Sequence, residues 1–421
     1  PVNNPTAAKI RRNYILGRMY KLGYIDAETL AAARDEVDSG KLHTVQSEAQ
    51  APWVAEMVRD EMVRRFGQEA YTSGYEVVTT LDTTRQAAAN AALRRALLDY
   101  SKRHGYRGPE AHAELEGMEP MDWPSLLRDY PARGGLVAGL VVQVDGKAVQ
   151  VLLLSGETVS IDWDGLAWAQ PYKSANRKGA ELKVAADILA VGDIIRVEAG
   201  EDDKWLLAQV PQAQGALVSL RPEDGAIMAL VGGFDFGGSK FNRVTQAMRQ
   251  PGSSFKPIIY SSALESGFTP ASIINDAPVV FDDTALEATW RPENYSGKFY
   301  GPTRLREALY RSRNLVSIRV LRTVGAPVAA SYAERFGFAA EQLPKDLTLA
   351  LGSASATPLQ MARAYAVFAN GGFRVKPYFI TRIHDNEGNV IESARPVVVC
   401  PDCPQTLEDL AGQLQPLPLA E

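Results

Sequence analysis

Hydrophobic positions follow three successive rhythms along the chain. Over residues 8–70 they recur at helical spacing. Ile10, Tyr14, Leu16 and Met19 sit in a basic stretch closed by Gly23, and Asp26 is placed to cap a second helix starting at Ala27. Residues 75–81 alternate as a strand, and Asp82 can cap an Ala-rich helix over 83–100. Residues 101–135 are rich in Pro, Gly and charge without a sustained period, and read as connecting loop or short helices. From 136 to 212 the period becomes two. Strands are expected over 136–144, 147–154 and 157–163, joined by Asp145-Gly146 and Ser155-Gly156, with further strands over 193–198 and 204–210. Five short strands in one segment suggest a small OB-like β-barrel.

The third rhythm is mixed. A hairpin over 216–220 and 226–231 turns at Pro222-Glu-Asp-Gly225. Helices are expected after Ser253, over 303–311 and over 315–324. One more is bracketed by Thr357 as cap, Pro358 in its first turn and Asn370-Gly371-Gly372 at its end. Strand pattern returns over 376–384 and 390–399. The fold class expected is multidomain α+β.

Length and composition narrow the function. At 421 residues the chain suits two or three domains. A charged fraction of 23% and a hydrophobic fraction of 46% describe a globular protein with ample core material. The formal net charge of −5, and seven Lys/Arg against eleven Asp/Glu over 136–212, argue against nucleic acid as a partner. Trp163, Trp168 and Tyr172 in that segment are expected to be buried core aromatics, with a sugar- or protein-binding face as the alternative. No apolar run approaches the ~20 residues that span a bilayer. The two cysteines, Cys400 and Cys403, form a lone C-x-x-C; zinc would need two more ligands, and His384 has no second histidine near it. No metal or cofactor is expected. The pair reads as a local disulfide or as two free thiols.

The candidate chemistry lies in Arg249-Gln-Pro-Gly-Ser-Ser-Phe-Lys-Pro257. Ser253 and Lys256 are three residues apart ahead of an apolar helical run, which sets a hydroxyl and an amine on one face. A serine needs a base to become a nucleophile. A lysine serves as that base only when burial or nearby charge lowers its pKa from about 10.4 toward roughly 7 to 8. Taken alone, Ser-x-x-Lys is equally a helix start with a Ser cap and a solvated lysine. A second element, Ser312-Arg313-Asn314, follows in the order that serine acyl-transferring, penicillin-recognising enzymes use. Ser174-Ala175-Asn176 also matches Ser-x-Asn, but it precedes Ser253 in a polar, charged segment and is set aside.

Three ordered strings carry a wider resemblance: Gln250-Pro-Gly-Ser-Ser-Phe-Lys-Pro257, then Gly301-Pro-Thr-Arg-Leu-Arg-Glu-Ala-Leu309 leading into Ser312, then Leu351-Gly-Ser-Ala-Ser-Ala-Thr-Pro-Leu359. Together they resemble the transpeptidase domain of class A, bifunctional penicillin-binding proteins. The resemblance implies a serine transpeptidase fold, an antiparallel sheet with helices, over 213–421. It implies an inserted OB-like domain over 136–212 and a linker region over 71–135. It implies that 1–70 is the helical end of a glycosyltransferase domain whose catalytic glutamates are absent here. It further implies that Ser253 attacks a terminal D-alanyl-D-alanine, that Lys256 is the base and that Ser312 relays a proton to the leaving amine. Asn314 would bind the substrate backbone. The implied partners are peptidoglycan stem peptides and glycan strands, β-lactams and cell-wall accessory proteins. The implied location is the periplasmic face of the inner membrane, with a single-pass anchor upstream of this chain.

One motif of the family departs. No Lys-Thr-Gly or Lys-Ser-Gly occurs in these residues, and the expectation is that the strand carrying it follows Glu421. Two rival readings keep part of the pattern: a carboxypeptidase or β-lactamase that gives its acyl group to water, and a non-catalytic cell-wall scaffold.

Overall fold

A computed structural model describes residues 5–36, 49–202, 204–279, 281–282 and 289–399; Cys400 and Cys403 lie outside the described residues. The chain divides into two compact units at Ala49 and Gln50. The first holds helices Pro5–Lys21 and Ala27–Asp35, which pack on each other. Asp26 caps the second as expected, its Oδ1 accepting from Thr29 N at 2.8 Å. Arg12 donates to the carbonyls of Arg34 and Glu36 at that helix's far end, where carbonyls lack intrahelical partners. Ile10 and Tyr14 remain exposed, because two short helices bury too little of either surface.

Within the second unit, the five strands expected of the period-two segment form one curled antiparallel sheet, joined by a sixth from outside the segment. Asp193–Ala199 lies inside it, with Val137–Asp145 on one edge and both Ala111–His112 and Trp205–Ala208 on the other. Ala148–Leu153 and Thr158–Ile161 continue beyond Val137–Asp145. Thr158–Ile161 curls back near Trp205–Ala208, but among the described residues no ladder closes the barrel. The extra strand, Ala111–His112, is two residues long and leaves no period to read. Alternate residues of these strands, among them Val141, Val151, Ile161, Ile195 and Leu207, fill the interior. The three aromatics are half-buried rather than fully buried. Trp163 and Trp168 flank this core, Trp168 Nε1 donates to Leu207 O at 3.1 Å, and Lys147, Lys102 and Arg107 lie over the rings of Trp163, Trp168 and Tyr172.

The remaining residues combine sheet and helices. Leu217–Leu220 and Ile227–Val231 form the expected hairpin. Ile227 N donates to Tyr378 O, which ties the hairpin to the segment entering Ile380–His384. That strand pairs with Val390–Ser393 on one side and with Glu76–Thr79, some 300 residues earlier, on the other. Asp82 caps helix Thr83–His104, whose Leu93 and Leu97 pack with Ile227, Leu230 and Trp53. A second core is almost wholly helical. Phe255, just before Lys256–Glu265, and Ile258, Ile259 and Ala263 of that helix meet Val316, Val320 and Leu321 of Asn314–Val324, with Ala329 and Ala333 of Ala326–Glu334. Lys256–Glu265 is buried over most of its length, with Lys256 and Ser262 among its buried residues. Each buried Ile or Phe there contributes roughly 1.5–3 kcal/mol.

Candidate active site

Ser253 lies in the 3-10 turn Gly252–Phe255, which runs directly into Lys256–Glu265. Phe255 is fully buried and pins the turn to the helical core, while Ser253 is exposed. Pro257 falls in the first helical turn, where its missing N–H costs nothing. The turn is held from the other side by the Leu351–Leu359 string. Arg249 and Ala356 exchange backbone hydrogen bonds at 3.0 Å each way, and Gly252 N donates to Gly352 O at 3.2 Å. Gly352 has φ +75°, and a Cβ there would sit 1.9 Å from Gly252 O. Only glycine lets these two backbones meet. Tyr365 of Pro358–Ala369 adds a bond from its hydroxyl to Ser254 O at 2.8 Å.

Lys256 is 1% exposed. Its ammonium has three donors, and three oxygens take them: Ser312 O at 2.8 Å, Ser312 Oγ at 3.0 Å and Asn314 Oδ1 at 2.8 Å. All three acceptors are neutral, and none of the described ion pairs includes Lys256. Burial without a counter-ion lowers its pKa to about 8. The i, i+3 spacing puts Ser253 in the turn that opens the Lys256 helix, but no hydrogen bond joins Ser253 Oγ to Lys256 Nζ. With every donor engaged by Ser312 and Asn314, the ammonium has none left for Ser253.

Ser312 occupies an unusual backbone position. It follows helix Leu305–Tyr310 with φ 54°, in the left-handed region that side chains disfavour. Ser312 N donates to Leu309 O and Arg313 N to Ala308 O, the double closure of a Schellman cap, in which glycine is the usual residue. Here that position presents both a carbonyl and a hydroxyl to Lys256. Asn314 opens Asn314–Val324 as its first helical residue, not its cap. Its Nδ2 donates to Glu293 O at 2.8 Å, which leaves Oδ1 facing the lysine. Lys256, Ser312 and Asn314 are thus in direct contact, while Ser253 is exposed in the turn that leads into the Lys256 helix. Glu293, Gly352 and Tyr365 were not singled out as site residues from sequence. Gly352 lay within a string that carried family resemblance but no assigned role, and Tyr365 gave no signal. Among the described residues no cluster of His, Cys, Asp and Glu could hold a metal.

Residues 106–213 match the Penicillin-binding protein OB-like domain, and residues 215–414 match the Penicillin binding protein transpeptidase domain. Penicillin-binding protein 1A of Pseudomonas aeruginosa is 48% identical over 94% of the chain, and that of Escherichia coli K12 is 42% identical over 96%. The chain therefore carries the OB-like and transpeptidase domains of penicillin-binding proteins. It spans about half the length of these curated relatives, 48% of each. The crystal structure of Penicillin-Binding Protein 1A from Haemophilus influenzae superposes with a TM-score of 0.80 at 39% identity, covering 94% of this chain and 57% of that one. The fold is therefore the penicillin-binding transpeptidase fold with an OB-like domain. The Ala111–His112 strand falls inside the matched OB-like segment, which starts at residue 106. No described helix is long and apolar enough to cross a membrane.

Proposed function

We propose that the protein is a class A penicillin-binding protein, a serine D-alanyl-D-alanine transpeptidase that cross-links peptidoglycan stem peptides. One observation carries the reading: a fully buried lysine, bound only by neutral acceptors, opens the helix that directly continues the turn of an exposed serine three residues earlier. When Lys256 loses its proton, two of its contacts can only remain acceptors for its N–H bonds, because carbonyl and amide oxygens do not donate. Ser312 Oγ alone can reverse and donate to the free lone pair. A lone pair turned instead toward Ser253 receives the Ser253 proton as Oγ bonds to the substrate carbonyl carbon. The proton then passes from Lys256 through Ser312 Oγ to the leaving nitrogen. The peptide bond breaks, D-alanine departs and an ester to Ser253 remains. An amino group of a neighbouring stem peptide attacks that ester, forms the cross-link and restores the serine. Ser253 N, in the first turn of its helix, has no intrahelical acceptor and suits one position of an oxyanion hole. A β-lactam would acylate Ser253 by the same first step and stall there.

The wider reading rests on the relatives' names and on the resemblance. The N-terminal helices would close a peptidoglycan glycosyltransferase domain, glycan strands would be a second substrate, and the protein would work at the periplasmic face of an inner membrane. Intact-mass spectrometry before and after incubation with a penicillin, with peptide mapping, tests the core of the proposal. One adduct on Ser253 is expected. A homogeneous chain that also carries the Lys-Thr-Gly strand and takes no adduct, or takes it elsewhere, would overturn the assignment. Release of product to an added amine in preference to water separates transpeptidase from hydrolase.

A further inference from the structure

Helix Asn314–Val324 begins at Arg313, a residue that provides no side-chain cap. Its first N–H groups are bound from outside. Asn294 Oδ1 accepts from Asn314 N at 2.9 Å and from Leu315 N at 3.5 Å. Asn294 is 5% exposed, and its own amide is oriented in turn. Its Nδ2 faces both carboxylate oxygens of Asp276, at 2.8 and 2.9 Å, and Lys298 O at 2.9 Å. Asp276 is fully buried, with Arg313 Nε 4.0 Å away and Arg313 stacked 3.3 Å over the Tyr300 ring. A carboxylate only accepts, so it fixes which end of the Asn294 amide turns toward the helix. The neighbouring carbonyl, Glu293 O, binds Asn314 Nδ2. The Glu293–Asn294 dipeptide therefore grips Asn314 twice, at its backbone N–H and at its side-chain amide.

We propose that Asn294, oriented by Asp276, is the positioning residue that holds Asn314 Oδ1 against Lys256. It touches neither Ser253 nor Lys256 and acts through Asn314 alone. The inference rests on the acyl-serine reading for its effect on activity. Asn294→Ala frees the helix start and, with it, the Glu293 carbonyl that keeps the Asn314 amide from turning over. An amide turned over would present N–H groups to an ammonium that needs an acceptor.

The test is a double-mutant cycle in the full chain, following acylation by a fluorescent penicillin across pH. Asn294→Ala is expected to slow acylation at least tenfold. Its pH midpoint should move below that of the parent, because the ammonium loses an acceptor. In an Asn314→Ala background the same change should cost less than twofold. Equal losses in both backgrounds would mean that Asn294 acts elsewhere, and an unchanged rate would mean it does not position the site. A second measurement stands apart from catalysis. Backbone amide exchange at Asn314 and Leu315 should accelerate at least tenfold in Asn294→Ala. If a parent chain that also carries the Lys-Thr-Gly strand is not acylated, the acyl-serine reading fails, and unchanged exchange at these two amides would overturn the positioning role by itself.

Discussion

Two buried cations in this molecule have opposite surroundings. Arg196, 4% exposed in the OB-like sheet, sends Nε and Nη2 to the Glu110 carboxylate at 3.0 and 2.8 Å and Nη1 to Pro131 O at 2.8 Å. Lys256, 1% exposed beside Ser253, has no carboxylate and three neutral acceptors. A planar guanidinium paired in two places is locked as a charge and serves as a joint. An ammonium satisfied only by dipoles keeps its geometry but not its charge, because dipoles do not offset the loss of water. For a lysine, burial without a counter-ion is what leaves the charge open to loss.

Replacing Lys256 breaks the comparison most sharply. Lys256→Met removes a buried charge and keeps much of the volume, so the chain should melt no lower than the parent. Acylation by penicillin should fall about 10²- to 10⁴-fold, the range for a lost general base. Lys256→Arg should be nearly as inactive, since a guanidinium keeps its proton at any working pH. A Lys256→Met chain with parental acylation would remove the lysine from the chemistry.

The next largest effect is with pH. Burial lowers the Lys256 pKa to about 8 in the folded chain, below its ordinary 10.5. Acylation should therefore rise about tenfold per pH unit below 8 and level off above it, in proportion to the neutral amine. Stability moves the same way for a different reason. Between pH 8 and 10.5 the unfolded chain holds a proton that the folded chain has lost, so folding becomes more favourable as pH rises through that window. Below pH 8 the cost of the buried charge is fully present. Urea titrations of the parent and Lys256→Met across this range should differ in slope, and parallel curves would refute the buried-charge account.

Arg196 supplies the contrasting case. Arg196→Met strands the Glu110 carboxylate and the carbonyls of Tyr130 and Pro131, at a cost of roughly 2–3 kcal/mol, moderated because Glu110 is one-third exposed. The melting temperature should fall while acylation at 20 °C stays within about twofold of the parent. An acylation loss on the scale of the Lys256 variants would show that the two cations are coupled.

What sequence could reveal of all this follows the range of each interaction. Asp26, Asp82 and Thr357 cap helices through bonds to residues three positions away, and all three were readable. Ser253, Lys256, Ser312 and Asn314 were readable because the chemistry confines each pair to a few positions. Asn294 was not, for it caps a helix 20 residues further on and takes its orientation from Asp276, 18 residues before it. Gly352 stands in the Leu351–Leu359 string with no role legible in the sequence, and only the folded chain shows another backbone pressed against it. The Ala111–His112 strand is too short to show a period, and its partner strand lies some eighty residues later. Local spacing and family resemblance nominate the proposed reacting groups; what holds these residues in place is made by distant pairs.

The smallest effect sharpens the comparison at the acceptor side. Ser312 holds φ 54° at a cap where glycine is the unstrained choice, a cost of roughly 1 kcal/mol or more. Ser312→Gly should relieve that strain and keep the carbonyl that binds Lys256 Nζ, while removing Oγ. Loss of one hydrogen bond to a charged group offsets part of the gain, so the net change in stability should lie within about 1 kcal/mol of zero. Ser312→Ala keeps the strain and also lacks Oγ, and should be the less stable of the two. Both should acylate more slowly than the parent by a similar factor if the hydroxyl carries the proton to the leaving group. Equal stability of the Gly and Ala variants would show that the left-handed turn is not strained. A Gly variant far slower than the Ala variant would mean that the rigidity of the turn, rather than its hydroxyl, is what Lys256 requires.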